Sequence, residues 1–220
     1  MYNNFEIYKI VLMLVPLIFS VTVHEVAHGY AAYRLGDNTA KLAGRLTLNP
    51  LKHLDLVGSF LLPVMLKLVG SSVIFGYAKP VPVNFANLKN FKKDAIIVSS
   101  AGVTANICLA CISGALFHFI MQFEGSFHNP SAISIISSLV YMLYFSVFIN
   151  VILAVFNLIP IPPLDGSRIL TMLLPYSMKI KFARIERFGM IILIIFMFSG
   201  LLNKIIDYVA MPIVGFLLGS

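Results

Sequence analysis

Charged side chains are scarce in this chain. They make up 11% of its 220 residues, whereas 59% of the residues are hydrophobic. An average soluble domain has about a quarter of its residues charged. The mean hydropathy of +0.93 points the same way. A soluble globular fold is thereby excluded, and we expect one integral membrane domain over residues 1–220, with no room for a separate soluble domain.

Cysteines and acidic residues are also few. Cys108 and Cys111 form a C-x-x-C inside an apolar run, without a second pair to complete a zinc site. We therefore interpret them as small residues of a membrane helix and expect no disulfide framework. The chain has 9 Asp and Glu against 16 Lys and Arg, which leaves a net charge of +7. Because the basic residues cluster in loops beside apolar segments, membrane topology explains this charge, and nucleic acid is not expected as a partner.

Apolar segments predict an all-α polytopic fold with about five to six transmembrane helices. They comprise residues 7–35, 54–69, 95–121, 132–159 and 188 onward. The last segment is either one span or two, since Asn203, Lys204 and Asp207 interrupt it. Two mixed stretches, residues 39–48 and 73–85, are rich in β-branched residues and contain Pro and Gly, which predicts short strands or loops.

Lysine and arginine orient these segments. Basic residues follow the first segment, precede the third and follow the fourth, whereas residues 122–131 contain none. By the positive-inside rule, the first segment ends inside, the third begins inside and the fourth returns inside. Residues 54–84 must then enter and leave on the same side, either as a re-entrant element or as one span with an extended return. Non-helical backbone at that depth must be buried in protein or line a wet cavity.

The most informative motif is H-E-x-x-H at residues 24–28, near the end of the first segment. Residues four apart on a helix share a face, so His24 and His28 direct both imidazoles at one point. A charge deep in a bilayer costs about 2.5–3.5 kcal/mol on insertion scales, which makes these residues functional candidates. Glu25 would reach a metal-bound water rather than the metal, as a general base. The alternative is an interhelical polar network without metal.

A third ligand is needed, because a hydrolytic zinc site takes three protein ligands and leaves one position for water. Asp165 is the best candidate. Three prolines among residues 160–163 end the fourth helix and can fold Asp165 back toward the first, and Gly166 would permit the sharp turn that follows. The other acidic residues are interpreted as solvated charges at termini or in loops: Glu6, Asp37, Asp55, Asp94, Glu124, Glu186 and Asp207.

Together these motifs resemble the site-2 protease family of intramembrane zinc metalloproteases, peptidase family M50. The H-E-x-x-H lies in one core span, and residues 157–166 (NLIPIPPLDG) follow another, in the order typical of the family. Residues 44–55 and 79–84 are also similar to its compact bacterial branch, which lacks a PDZ domain. The resemblance covers a core of roughly residues 7–175 and leaves residues 188–218 as C-terminal membrane segments.

The resemblance implies a zinc metalloendopeptidase with one Zn²⁺ per chain. His24, His28 and Asp165 would bind the ion, and Glu25 would activate water for peptide hydrolysis. Asn157 matches a family position that helps to hold the substrate or the developing oxyanion, a role that a side-chain amide can fill. For Asn157 a hydrogen bond at the helix end is the alternative.

Two further residues are candidates for substrate contact or gating. The family often has Ala-Gly-Pro and then Asn in the third core span, whereas Val103 replaces that proline here and puts the local kink in doubt. Asn106 remains available for polar packing. His53, in a loop next to Asp55, is either a surface or capping residue, or it approaches the cleft to orient substrate or to occupy the open zinc position.

The function implied is hydrolysis of a peptide bond within or near the transmembrane segment of a single-pass membrane protein, such as an anti-sigma factor or a remnant signal peptide. In this family the two mixed stretches correspond to a small membrane-embedded β region that would present an edge to an unwound substrate. We expect a multi-pass protein of the cytoplasmic membrane with the active site toward the cytoplasm. The alternatives are a non-proteolytic membrane metal-binding protein, a metal transporter, or another membrane zincin.

Overall fold

The computed structural model describes residues 2–55, 58, 61, 68, 78–123 and 129–219. The regular structure in these ranges is helical. The helices are α1 (Tyr2–Arg34), α2 (Thr39–Leu42), α3 (Phe91–Met121), α4 (Pro130–Asn157), α5 (Asp165–Leu173), α6 (Tyr176–Glu186), α7 (Gly189–Phe198) and α8 (Leu201–Leu218). Short 3-10 turns at Pro50–Lys52 and Phe85–Asn87 lie in the connection between α2 and α3.

Four helices of the described ranges are long and apolar enough to cross a bilayer, namely Tyr8–Arg34 of α1, together with α3, α4 and α8. The 10 residues of α7 rise only about 15 Å, half of a hydrocarbon core of about 30 Å. In the C-terminal region, α8 is therefore the candidate span. The described residues thus contain four candidate spans, fewer than the five to six expected. Most of the apolar segment 54–69 lies outside the described residues.

Helices α1, α3 and α4 pack as one bundle. Tyr8 contacts Ser138, and further along the same two helices Ser20 contacts Asn150, so α1 and α4 run parallel. The first turns of α3 pack on the last turns of α1 in a buried apolar cluster, so α3 runs the opposite way. The C-terminal ends of α1 and α4 therefore share one end of the bundle with the N-terminal end of α3. The basic residues predicted this arrangement.

Helix α8 closes the bundle against α3 and α4. Val214 of α8 lies in one buried cluster with Ala110 and Val147. At the far end, the imidazole of His118 is 3.0 Å from the backbone carbonyl of Leu217 and donates a hydrogen bond to it. Helix α8 therefore runs parallel to α3, and His118 lies at the end of the bundle opposite to His28.

The expected β region is not seen in the part of it that the structure describes. Residues 39–42 form a helix, because the carboxylate of Asp37 accepts hydrogen bonds from the backbone N–H and the hydroxyl of Thr39 and fixes the first turn. Residues 78–84 form neither helix nor strand. Pro80 and Pro82 remove backbone donors that a ladder needs, and they favour extended backbone at the residue before each of them. Residues 73–77 lie outside the described residues.

Asp37 is buried, so its interpretation as a solvated surface charge is wrong, and the same holds for Asp94. The carboxylate of Asp37 also accepts hydrogen bonds of 2.8 Å from the backbone N–H of Asn84 and from the side-chain amide of Asn87. Burial raises the pKa of Asp37, but these donors and Thr39 outweigh burial and hold the pKa below its ordinary value. Asp37 thereby joins the turn after α1 to the turn before α3.

Candidate metal centre

Three metal-ligating side chains meet at one end of the bundle. His24 and His28 lie one turn apart on α1, and Asp165 is the first residue of α5. Oδ2 of Asp165 is 3.2 Å from Nε2 of His24 and 3.1 Å from Nε2 of His28, and the two Nε2 atoms are 3.1 Å apart. Ligands about 2.0–2.1 Å from a tetrahedral zinc ion would be about 3.3 Å from one another. The triangle thus has nearly the size that zinc requires.

The backbone of α3 sets the tautomer of His28. Nδ1 of His28 is 2.7 Å from the backbone carbonyl oxygen of Val98. A carbonyl can only accept a hydrogen bond, so Nδ1 carries the proton. In the neutral imidazole Nε2 then bears a lone pair, which is the state in which histidine binds a metal.

A side-chain amide of α3 does the same for His24. Nδ1 of His24 is 2.5 Å from Oδ1 of Asn106, a residue with no exposed surface. The amide oxygen is an acceptor, so Nδ1 again carries the proton and Nε2 bears the lone pair. Both imidazoles are thus tied at Nδ1 to α3 and turn Nε2 toward Asp165.

The third ligand atom shows why a cation fits between these groups. Oδ2 of Asp165 is buried and accepts no hydrogen bond from the residues that the structure describes. With Nε2 of His24 and of His28 unprotonated, three lone pairs converge, and a buried arrangement of this kind is unfavourable unless a cation lies among them. Two imidazoles and a carboxylate form a ligand set that zinc accepts. Among the described residues, these three form the His, Cys, Asp and Glu group that could hold a metal ion.

Gly102 allows α3 to pass directly against the two imidazoles. A Cβ atom at this position would be 2.6 Å from Cε1 of His24 and would also collide with Nε2 of His28. The helix is continuous through Val103, the residue that stands in place of the family's proline. The sequence alone does not reveal this role of Gly102, since a glycine in an apolar helix carries no chemical signal of its own.

A buried apolar cluster brings Asp165 to the histidines. After α4 the chain turns back over residues 158–164, where Ile159 and Leu164 pack against Leu193 of α7. Gly166 lies against the end of α4, and a Cβ there would be 2.5 Å from the carbonyl carbon of Leu158. Since its φ is not among the positive ones, Gly166 is required for close packing rather than for the sharp turn that was expected.

A cleft of about 820 Å³ opens beside the ligand triangle, and most of its wall is apolar. Glu25 and Asn157 line it, as do residues 80–83 and Arg168 of α5. Glu25 is not part of the ligand group itself. Its Oε2 accepts a hydrogen bond of 2.8 Å from the backbone N–H of Val81, so one carboxylate oxygen is fixed by the cleft wall.

The remaining predicted residues lie as follows. The side-chain amide of Asn157 donates a hydrogen bond of 2.9 Å to the carbonyl of Leu153, which is the alternative contact at the helix end, although Asn157 also lines the cleft. Asn106 contacts His24 and does not line the cleft. His53 is only 2% exposed, so it is not a surface residue, but it does cap the 3-10 turn Pro50–Lys52. Its Nε2 donates a hydrogen bond to the carbonyl of Thr47. His53 does not line the cleft either.

His53 instead supports the cleft wall. Its backbone carbonyl accepts a hydrogen bond of 2.9 Å from the backbone N–H of Lys79, next to the cleft-lining residues 80–83. This contact favours a structural role over contact with substrate. Cys108 and Cys111 are free and exposed on α3, as expected for residues of a membrane helix.

The fold and the site define a polytopic membrane protein with a His, His, Asp metal-ligand cluster inside its helical bundle. The chain belongs to peptidase family M50, whose family model matches residues 12–200. Sequence reasoning and the comparison therefore agree on the family.

Relatives with assigned names support this family membership. The chain is 38% identical over 198 residues, or 88% of its length and 84% of the relative, to a Bacillus subtilis protein named "putative zinc metalloprotease YwhC". It is also 28% identical over 194 residues, or 88% of its length and 69% of the relative, to a Mycolicibacterium smegmatis protein named "putative zinc metalloprotease Rip2". No solved structure matches the chain significantly.

Proposed function

We propose that this protein is an intramembrane zinc metalloprotease that hydrolyses a peptide bond within or near the transmembrane segment of a membrane protein. The observation that carries the proposal is the meeting of His24, His28 and Asp165 inside the bundle, beside a cleft lined by Glu25. Membership of a peptidase family and the names of the relatives support it. The whole chain then serves as one membrane protease domain.

One zinc ion per chain would be bound by these three side chains, which leaves a fourth position for water. When bound, zinc polarises the scissile carbonyl and lowers the pKa of water. The chain prepares the ligands in advance, because Val98 and Asn106 hold Nδ1 of the two imidazoles and turn Nε2 inward. Such outer contacts typically account for 10–100-fold in metal affinity or activity.

Glu25 is the proposed general base and acid. With Oε2 fixed by the N–H of Val81, the other carboxylate oxygen is left to accept a proton from the attacking water and to deliver it to the leaving amine. Asn157 has a second amide N–H besides the one bonded to Leu153. We assign that N–H to the substrate carbonyl, whose developing negative charge it would stabilise.

The cleft wall at residues 80–83 offers a place for an unwound substrate. A helical peptide bond is shielded by its own hydrogen bonds, so the substrate must open locally before its carbonyl reaches the ligands. An extended segment beside the cleft can bind such a strand along its backbone. Because Pro80 and Pro82 have no N–H to donate, and the N–H of Val81 is bonded to Glu25, the strand would bind chiefly to the backbone carbonyls of this segment.

The proposed location is the cytoplasmic membrane, with the metal centre toward the cytoplasm. The ends of α1 and α4 that carry the centre are followed by clusters of Lys and Arg, which the positive-inside rule assigns to the cytoplasmic face. Single-pass proteins such as anti-sigma factors or remnant signal peptides are the proposed substrates, and cleavage would release a fragment on that side.

The deciding experiment is cleavage of a single-pass model substrate by the purified protein in lipid, comparing the unchanged chain with Glu25→Gln. Loss of the proton-transfer group should lower the rate by about 10²–10⁴-fold, while the zinc content stays the same because Glu25 is not a ligand. Glu186→Gln, in the exposed helix α6, is the matched control. Equal cleavage by Glu25→Gln would refute the mechanism, and zinc flux across liposomes that is unaffected by this change would favour transport.

A further inference from the structure

Asn150 is a polar residue inside the apolar helix α4, where neither apolar packing nor contact with solvent accounts for an amide side chain. It has no exposed surface and lies among apolar residues of the span. A buried amide costs about 1–3 kcal/mol if its groups find no partners. All of its hydrogen-bonding groups find partners, and these partners lead to the metal centre.

The direction of the Asn150 amide is set by a backbone carbonyl. Its Nδ2 is 2.8 Å from the carbonyl oxygen of Ser146 and 2.8 Å from the hydroxyl of Ser20. The carbonyl can only accept, so the nitrogen must face it, and Oδ1 of Asn150 faces the other way, toward α3.

The next amide is set by the first. Oδ1 of Asn150 is 2.7 Å from Nδ2 of Asn106, and since the oxygen can only accept, Asn106 must donate. Asn106 consequently turns its own Oδ1 toward Nδ1 of His24, 2.5 Å away. Its other polar contact, from Nδ2 to the carbonyl of Ser20 at 3.5 Å, is at the limit of a hydrogen bond and is much the weaker constraint.

We infer that Asn150 is a positioning residue, which fixes the amide of Asn106 and through it the tautomer of His24 that can bind zinc. The chain of donors runs in one direction, from Nδ1 of His24 to Asn106, then to Asn150 and finally to the carbonyl of Ser146. If the Asn106 amide were reversed, its N–H would face Nδ1, and the proton of a neutral His24 would move to Nε2, where the metal must bind. This inference rests on zinc binding as proposed above.

The alternative is that Asn150 only ties α1, α3 and α4 together. A double-mutant cycle separates the two roles. Asn106→Asp replaces the amide by a carboxylate, both of whose oxygens accept hydrogen bonds. Either oxygen can then accept the proton of Nδ1 of His24, so this side chain no longer has to be held in one orientation. If Asn150 acts through that orientation, Asn150→Ala should lower zinc affinity about 10–100-fold in the unchanged chain and cause no further loss in the Asn106→Asp chain.

Zinc affinity is measured by competition with a chelator, on protein in detergent whose folding is checked by thermal unfolding. Ser138→Ala is the matched control, because it removes another hydrogen bond between α1 and α4, the contact with the hydroxyl of Tyr8, and should leave zinc affinity unchanged. An equal loss from Asn150→Ala in both backgrounds, or no loss in either, overturns the inference.

A second measurement does not depend on zinc or on the Asn106→Asp chain. The ¹⁵N chemical shifts of His24, read in metal-free protein, report which ring nitrogen carries the proton. We expect the Nδ1–H form in the unchanged chain and a mixture or the Nε2–H form after Asn150→Ala; an unchanged spectrum contradicts the inference. A chain that binds no zinc would refute the proposed function, and this spectrum would still decide the role of Asn150.

Discussion

The guanidinium of Arg45 donates a hydrogen bond of 2.7 Å to the backbone carbonyl of Lys79. Arg45 is only 8% exposed, and it comes from the turn after α2. Two residues beyond Lys79, the N–H of Val81 fixes the carboxylate of Glu25. The proposed general base therefore takes its position from a buried arginine that is outside the cleft-lining residues.

Replacement of this arginine should slow proteolysis without loss of metal. Arg45→Met keeps most of the side-chain length and removes the donors, and a hydrogen bond from a charged group is worth about 1.5–3 kcal/mol. We expect a fall of about 10–100-fold in kcat/KM with unchanged zinc content, and partial recovery in Arg45→Lys. Lys41→Met, an exposed change in α2, is the control. A parallel loss of zinc would show that Arg45 supports the ligands and not the cleft wall.

Gly102→Ala should act on the metal directly. Its Cβ would lie 2.6 Å from His24, so α3 or the imidazoles must shift, and metal affinity is sensitive to ligand orientation. Chelator competition should show an affinity for zinc that is at least about tenfold weaker, the lower end of the 10–100-fold effect typical of groups that orient metal ligands. Thr104→Ala, on the exposed side of the same helix, should bind zinc normally. Normal affinity in Gly102→Ala would contradict the close packing described.

Asp37 should make stability depend on pH. Its pKa is below the ordinary value in the folded chain, so its contribution is present above the unfolded pKa of about 3.9 and is lost as the pH falls through the folded pKa. Asp37→Asn should reduce the free energy of unfolding by about 1–3 kcal/mol at neutral pH. Thermal unfolding in detergent should show this difference shrinking below about pH 4.

The control for this change is Glu186→Gln, since Glu186 is exposed on α6, outside the candidate spans. It should alter the unfolding temperature little at any pH. A difference between Asp37→Asn and the unchanged chain that stays constant at low pH would mean that the carboxylate charge is not what stabilises the two turns.

The proposed ligands could be identified from sequence because the energetic cost of their placement is visible in the neighbouring residues. His24, Glu25 and His28 are expensive in an apolar helix, and the prolines before Asp165 visibly end the next one. The order and direction of the long helices followed from apolar runs and basic loops in the same way. These signals need only a short window of sequence to be detected.

The supporting residues could not be found in this way, because their roles depend on distant partners. Asp37 lies in a turn, and nothing near it in sequence reveals donors at residues 84 and 87. Gly102 is explained only by the imidazoles that lie against it. Asn150 does carry a signal, because an amide within an apolar run is costly unless it has partners, but the sequence does not show which partners it has.

The separation of the ligands along the chain has a consequence for synthesis. His24 and His28 leave the ribosome early, and Asp165 follows only after α3 and α4 have been made. Two imidazoles alone do not complete a tetrahedral zinc site. The proposed enzyme is therefore inactive until residue 165 has been made and has reached the two histidines, and a chain interrupted before that residue never acquires activity.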